Sequence, residues 1–189
     1  MKHITVKEKD AMAFEKMKGL FGYKNKMAAP RLQKVVINVG TGTGIKKDKN
    51  RNEFISGRLE KITGQKAALR GAKKSIASFK VRQGDPIGVM TTLRGKRMFA
   101  FVEKLINVTL PRTKDFRGIS RRVVDDIGNM TIGVKEHTIF PETADEDIKD
   151  VFGFAITIVS SAKTKKEGTT FFELLGIPFK TEEDSKKKK

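Results

Sequence analysis

Between Arg70 and Gly84 five cations (Arg70, Lys73, Lys74, Lys80 and Arg82) surround one phenylalanine, Phe79, with the hydroxyls of Ser75 and Ser78 between them. Cations neutralise phosphate oxygens, a ring offers a stacking face for a base, and each phosphate contact adds to the salt dependence of binding. The pattern predicts an exposed basic excursion over residues 70–86 that contacts RNA. Its plain counterpart is a solvated loop with Phe79 turned into the core. Gly40-Thr41-Gly42-Thr43-Gly44 is the second candidate, because a glycine-rich turn can hold a phosphate on its backbone amides. It lacks the Gly-Lys-Ser/Thr ending of a P-loop and the spacing of a dinucleotide fingerprint. A plain turn therefore suits it better than a nucleotide site, with an RNA phosphate as the remaining option.

Catalytic and metal chemistry find little to work with. The chain has no cysteine, which removes disulfides, thiolate zinc sites and cysteine nucleophiles. Its two histidines, His3 and His137, share no ligand spacing. Asp125, Asp126 and the cluster Glu142, Asp145, Glu146, Asp147 and Asp150 suit a hard cation in principle. The cluster has neither the alternating oxygen ligands nor the pivotal glycine of a calcium loop, so a solvated or partner-facing acidic patch is expected. Asn38 and Thr92 stand opposite apolar strand neighbours. They either face solvent or offer donors and acceptors to bases and 2′-hydroxyls.

These residues need elements to hold them. Thr5-x-x-Glu8 reads as a capping box, followed by apolar residues at helical spacing (Val6, Ala13, Phe14, Met17, Leu20, Phe21) with Gly19 and Gly22 as stops. Val35, Ile37 and Val39 alternate with Val36 and Asn38, which predicts a strand after Pro30. A second helix is expected from Asp48 to Thr63, with Phe54, Ile55, Leu59 and Ile62 inward and Gly64 ending it. Ile87, Val89, Thr91 and Leu93 predict another strand. Met98, Phe101, Val102, Leu105 and Ile106 predict a helix that stops before Pro111. Strands are expected around Met130, Ile132 and Val134 and from Phe152 to Ile158, and Thr164-x-x-Glu167 opens a last helix through Leu175. Helices and short alternating strands without a βαβ rhythm predict an α+β two-layer sandwich, a largely antiparallel sheet with helices on one face. The other face is left to bind. One domain over residues 1–179 and a disordered lysine-rich tail at 180–189 complete the expectation.

The 189 residues carry 40 Lys and Arg against 22 Asp and Glu, a formal charge of +18. A hydrophobic fraction of 38% is too high for a wholly disordered chain. Charge is segregated: residues 1–64 carry +9, residues 65–122 carry +12 and residues 123–189 carry −3. A merely solubilising surface would intersperse both signs. A polyanion on one face and a different partner on an acidic face are expected instead. The first residues are charged with no signal-peptide stretch, and no apolar run approaches the ~20 residues of a membrane span. An intracellular RNA-binding protein is the leading expectation. The alternatives are a phosphate-processing enzyme built on Gly40 to Gly44 and an architectural DNA binder.

Ser75-Ile-Ala-Ser-Phe-Lys-Val-Arg-Gln-Gly-Asp-Pro-Ile-Gly88, followed by Thr92-Leu-Arg-Gly95, closely resembles the hallmark of the large-subunit ribosomal protein L-five family, of bacterial type. Phe101-Val-Glu-Lys-Leu-Ile106, Pro111-Arg112, Asp115-Phe-Arg-Gly118, Gly128-Asn129, Ile139-Phe-Pro-Glu142 and Ile177-Pro-Phe179 continue the resemblance in collinear order over about residues 5–179. The resemblance implies a non-enzymatic, cofactor-free constituent of the large ribosomal subunit, in the cytoplasm. It would bind 5S rRNA in the central protuberance, beside 23S-type rRNA and neighbouring large-subunit proteins. On the matching positions it implies 5S rRNA contacts from Asn38, Gln65 and Thr92. It also implies approach of the basic excursion (Lys73, Lys74, Ser75, Ser78, Phe79, Lys80, Arg82) to P-site tRNA. Finally, it implies a bridge from segment 136–150 (Glu136, Glu142, Asp145, Glu146, Asp147) to small-subunit protein thirteen, where an acidic segment would suit a basic neighbour.

Overall fold

The computed structural model describes residues 4–42, 50–114, 116–144 and 151–180. Helices and strands are mixed along the chain: α1 (Val6–Ala11), α2 (Ala13–Phe21), β1 (Leu32–Gly40), α3 (Arg51–Thr63), β2 (Ala68–Gly71), β3 (Pro86–Leu93), α4 (Gly95–Lys104), α5 (Leu110–Arg112), β4 (Met130–Val134), β5 (Phe154–Ser160) and α6 (Lys165–Leu175). The strands form one sheet in the order β2-β3-β1-β5-β4. β2 and β3 pair antiparallel, with Ala68 opposite Met90 and Arg70 opposite Gly88. β4 and β5 also run antiparallel: the Thr131 and Thr157 hydroxyls share a 3.1 Å hydrogen bond, and Gly153 lies close to the Val134 carbonyl. This is the α+β two-layer class expected from the sequence, with antiparallel pairing at both ends of its sheet.

The chain divides into two compact units, one of residues 1–35, 94–132 and 157–189, the other of residues 36–93 and 133–156. In the first, α1 packs against α2, α4 and α6, and α2 packs against α6. The apolar stripes predicted for these helices supply buried Val6, Met17, Met98, Phe101, Val102, Leu105, Phe171, Phe172 and Leu175. The first capping box closes in both directions: Thr5 Oγ1 accepts from the Glu8 N–H (3.3 Å) and Glu8 Oε2 accepts from the Thr5 N–H (2.8 Å). Gly19 does not stop α2; Gly22 does, its N–H donating to the Lys18 carbonyl.

Two other expectations in this unit need correction. The helix carrying Met98 does not end before Pro111, because residues Leu105–Thr109 form a π turn that leads into α5. Pro111 then occupies the first turn of a new helical segment, where its missing N–H costs nothing. The second capping box closes on one side only: Thr164 Oγ1 accepts from the Glu167 N–H (3.3 Å). The Glu167 carboxylate accepts instead from the Lys163 N–H (2.7 Å) and the Tyr23 hydroxyl. Glu167 is buried, and a buried carboxylate needs such donors.

In the second unit α3 packs on β3 and on the 3₁₀ turn Pro141–Thr143. Ile55, Leu59 and Ile62 are buried as predicted, each worth about 1.5–3 kcal/mol over exposure. Phe54, expected inward, is half-buried, with the Arg58 guanidinium 4.6 Å from its ring centre. His137 is buried and stacked on Phe152, ring centres 4.4 Å apart, and its Nδ1 accepts from the Phe152 N–H at 3.4 Å. Burial, with the Arg58 charge nearby, holds the imidazole pKa below its usual value. The expected helix start at Asp48 lies outside the described residues. Of the tail expected at 180–189, Lys180 is tied to the fold, its N–H donating to the Ile119 carbonyl at 2.9 Å, and the rest lies outside the described residues.

Candidate nucleic-acid interface

The basic excursion begins as part of the sheet. Residues Ala68–Gly71 are strand β2, which the sequence did not announce, because all four residues are exposed and show no burial alternation. Beyond β2 the chain continues as a hairpin tied by its own backbone. The Ala72 N–H donates to the Asp85 carbonyl (2.8 Å), the Gly84 N–H to Ala72 (3.0 Å), and Ile76 and Val81 exchange bonds of 3.0 and 3.3 Å. Ser75 Oγ accepts from the Gln83 N–H (2.9 Å), so this hydroxyl braces the hairpin before it meets any partner. Asp85 Oδ2 accepts from the Arg82 N–H at 2.7 Å. At the tip Lys80 adopts φ 50°, the sole positive φ of a non-glycine residue among the described residues. Lys73, Lys74, Ser78 and Arg82 are exposed. Phe79 is 65% exposed, which excludes the reading that places it in the core.

The polar trio is built by α3 and two neighbouring strands. In β1, Val35, Ile37 and Val39 are buried whereas Asn38 is exposed on the other face. Its side-chain amide makes no hydrogen bond within the described residues. α3 ends at Gly64, whose φ of 67° suits the left-handed turn that sends Gln65 back toward the sheet. The Thr63 hydroxyl accepts from the Gln65 N–H (3.3 Å), and Gln65 Nε2 donates to the Thr92 carbonyl at 3.1 Å. Gln65 and Thr92 are thus in direct contact, which spacing alone did not show. Thr92 is half-buried between buried Thr91 and Leu93, and its hydroxyl makes no hydrogen bond within the described residues. Because Arg70 stands opposite Gly88, and strand side chains alternate, Arg70 shares its sheet face with Thr92.

A hollow of about 880 Å³ joins Asn38 to the hairpin. Its walls are Asn38, Val39 and Gly40 from the end of β1, Gly42 just beyond it, then Arg70 to Lys74, and the apolar side chains of Ile76, Phe79, Val81 and Ile87. Three cations line it and no carboxylate does. The sequence reading missed this open surface hollow. Its signal was the apolar pair Ile76 and Val81 flanking a short turn, the pattern of a hairpin. The glycine-rich turn is less available to phosphate than expected, since the Thr41 N–H already donates to the Ile87 carbonyl at 2.8 Å. Thr43 and Gly44 lie outside the described residues.

Of the acidic candidates, Glu136 and Glu142 are exposed on either side of buried His137, whereas Asp145, Glu146 and Asp147 lie outside the described residues. The Asp125 carboxylate closes its own turn, accepting from the Asn129 N–H (2.6 Å) and Nδ2 (3.2 Å), and Asp126 sits 3.9 Å from Lys165. Among the described residues no cluster of carboxylates and histidines is placed to hold a metal ion. Every described candidate contact residue belongs to the second unit.

A basic α+β protein that displays uncharged hydrogen-bonding groups and cations on a sheet face, without a catalytic or metal constellation among its described residues, is the class so defined. Residues 25–82 match the family described as ribosomal protein L5, and residues 86–179 match the model of that ribosomal family's C-terminus. Similar proteins named large ribosomal subunit protein uL5 include that of Halothermothrix orenii, 47% identical over 164 residues (87% of this chain, 91% of the relative). That of Trichlorobacter lovleyi is 48% identical over 166 residues (88% and 92%), and that of Desulfatibacillum aliphaticivorans is 49% identical over 168 residues (87% and 92%). The chain belongs to the ribosomal protein L5 family, whose members are structural proteins and not enzymes.

Proposed function

We propose that this chain, a structural constituent of the large ribosomal subunit with rRNA and ribosomal proteins as partners, binds 5S rRNA and helps attach it in the central protuberance. Asn38, Gln65 and Thr92 supply the selective hydrogen bonds, while cations of the same face recruit the RNA electrostatically. The observation that carries the reading is the pair of polar side chains, Asn38 and Thr92, without hydrogen bonds within the described residues on a face that also bears Arg70. In the same reading the exposed hairpin tip, with Lys80, Arg82 and Phe79, approaches P-site tRNA. The segment around Glu136 and Glu142 meets basic small-subunit protein thirteen. The deciding experiment offers total cellular RNA to the purified full chain. Enrichment of 5S rRNA at physiological salt is expected, and uptake in proportion to abundance overturns the assignment.

A further inference from the structure

We propose that the corner of the first unit where α2 ends and the chain turns toward β1 docks an acidic protein segment carrying bulky apolar side chains. Leu20 is 72% and Met27 73% exposed, more than any other large apolar side chain among the described residues. Leu20 stands on the last turn of α2, which Gly22 closes at φ 66°. Tyr23 then stacks on Phe21, ring centres 5.9 Å apart, and both rings are half-buried. Met27 is held outward by its own turn: its N–H donates to Asn25 Oδ1 (3.1 Å), and the Ala28 N–H donates to the Asn25 carbonyl (3.0 Å). Arg31 Nη2 reaches the Met27 sulfur at 3.7 Å. Arg31 is itself tied to Ser161 in both directions, at 2.9 and 3.0 Å. The fold therefore fixes these apolar side chains in water, where burial against a partner stabilises them. Charge names the partner. From Ala13 to Arg31 five cations stand against one carboxylate, Glu15. Lys18, Lys24 and Lys26 are exposed. The Glu167 carboxylate that meets the Tyr23 hydroxyl also accepts from the Lys163 N–H at 2.7 Å, so exposed Lys163 joins the rim while Glu167 stays buried. An apolar centre within a charged rim is the anatomy of a protein–protein contact, and carboxylates complement a rim of ammonium groups. A phosphate backbone would engage the lysines and leave Leu20 and Met27 in water, which favours protein over RNA. Every described RNA-contact candidate lies in the other unit, so the inference stands apart from the 5S rRNA reading.

Leu20 and Met27 are seven residues apart, so the chain keeps their α-carbons within ~25 Å of each other. The test therefore titrates the full chain with a fluorescent helical peptide of about 18 residues, long enough to span both, with leucines on one face and glutamates on the other. One control peptide has glutamine for every leucine, and a second has lysine for every glutamate. The acidic amphipathic peptide should bind about tenfold more tightly than either control, the ratio that burial of one large apolar side chain gives. Leu20→Gln with Met27→Gln should erase the advantage over the glutamine control, with melting temperature and RNA uptake unaltered. Lys24→Gln with Lys26→Gln should weaken binding and flatten its salt dependence. Equal binding of the three peptides, or an advantage that survives Leu20→Gln with Met27→Gln, overturns the inference. Loss of RNA uptake in that double variant gives the corner to RNA and overturns it equally. Either failure leaves the enrichment of 5S rRNA by the wild-type chain as the separate test of the 5S reading.

Discussion

Asn38 is informative because its amide has no hydrogen-bonding task within the described residues. Asn38→Ala should leave the melting temperature unaltered while weakening 5S rRNA binding by ~1 kcal/mol or more, about fivefold, the scale of a lost intermolecular hydrogen bond. A gel-shift midpoint equal to that of the wild type overturns its role. Gln65 differs, since its Nε2 also holds the Thr92 carbonyl. Gln65→Ala should lower affinity and melting temperature together. Of the two, Asn38 was legible in the sequence, as a polar residue inside strict alternation. The Gln65–Thr92 contact was not, because two residues 27 positions apart meet through a sheet that no local pattern describes.

The hairpin is where local reading and structure part. Its exposure, charge and Phe79 were legible, but β2 was not, because an exposed edge strand is defined by its partner β3 and not by its own alternation. Lys80→Ala with Arg82→Ala should reduce tRNA binding more than 5S rRNA binding. The slope of log K against log salt should fall by roughly 0.7 per lost phosphate contact. Equal losses in both titrations remove the separate roles. In β3 itself the buried Thr91 hydroxyl has no hydrogen-bond partner among the described residues. Thr91→Val keeps the shape and removes that unsatisfied group, so thermal unfolding should show a gain of about 1 kcal/mol; a lower melting temperature contradicts the assignment. His137 gives the connection between β4 and β5 a pH dependence. Its imidazole is disfavoured as a cation when folded, so its contribution is complete above the ordinary histidine pKa of ~6.5 and is lost as pH falls below that value toward the lowered folded one. The melting temperature should drop between pH 7.5 and pH 5, and His137→Phe, which retains an aromatic partner for Phe152, should drop less. Parallel curves for the two proteins refute the attribution.

Across the whole chain, +18 of formal charge sets association rate and salt sensitivity, while selectivity resides in a few uncharged groups. The class of fold was legible because its helices and central strands obey clean periods. The division into units was not, since each unit gathers segments from distant parts of the chain. Besides its neighbour α2, α1 packs on α4 and α6, the latter beginning at Lys165. A ribosome making this protein at about 5–20 residues per second therefore leaves α1 without α6 for roughly 8–30 s. During that interval the newborn N-terminal helix is a natural client for chaperones. Assembly into a particle should wait for the final stretch of translation.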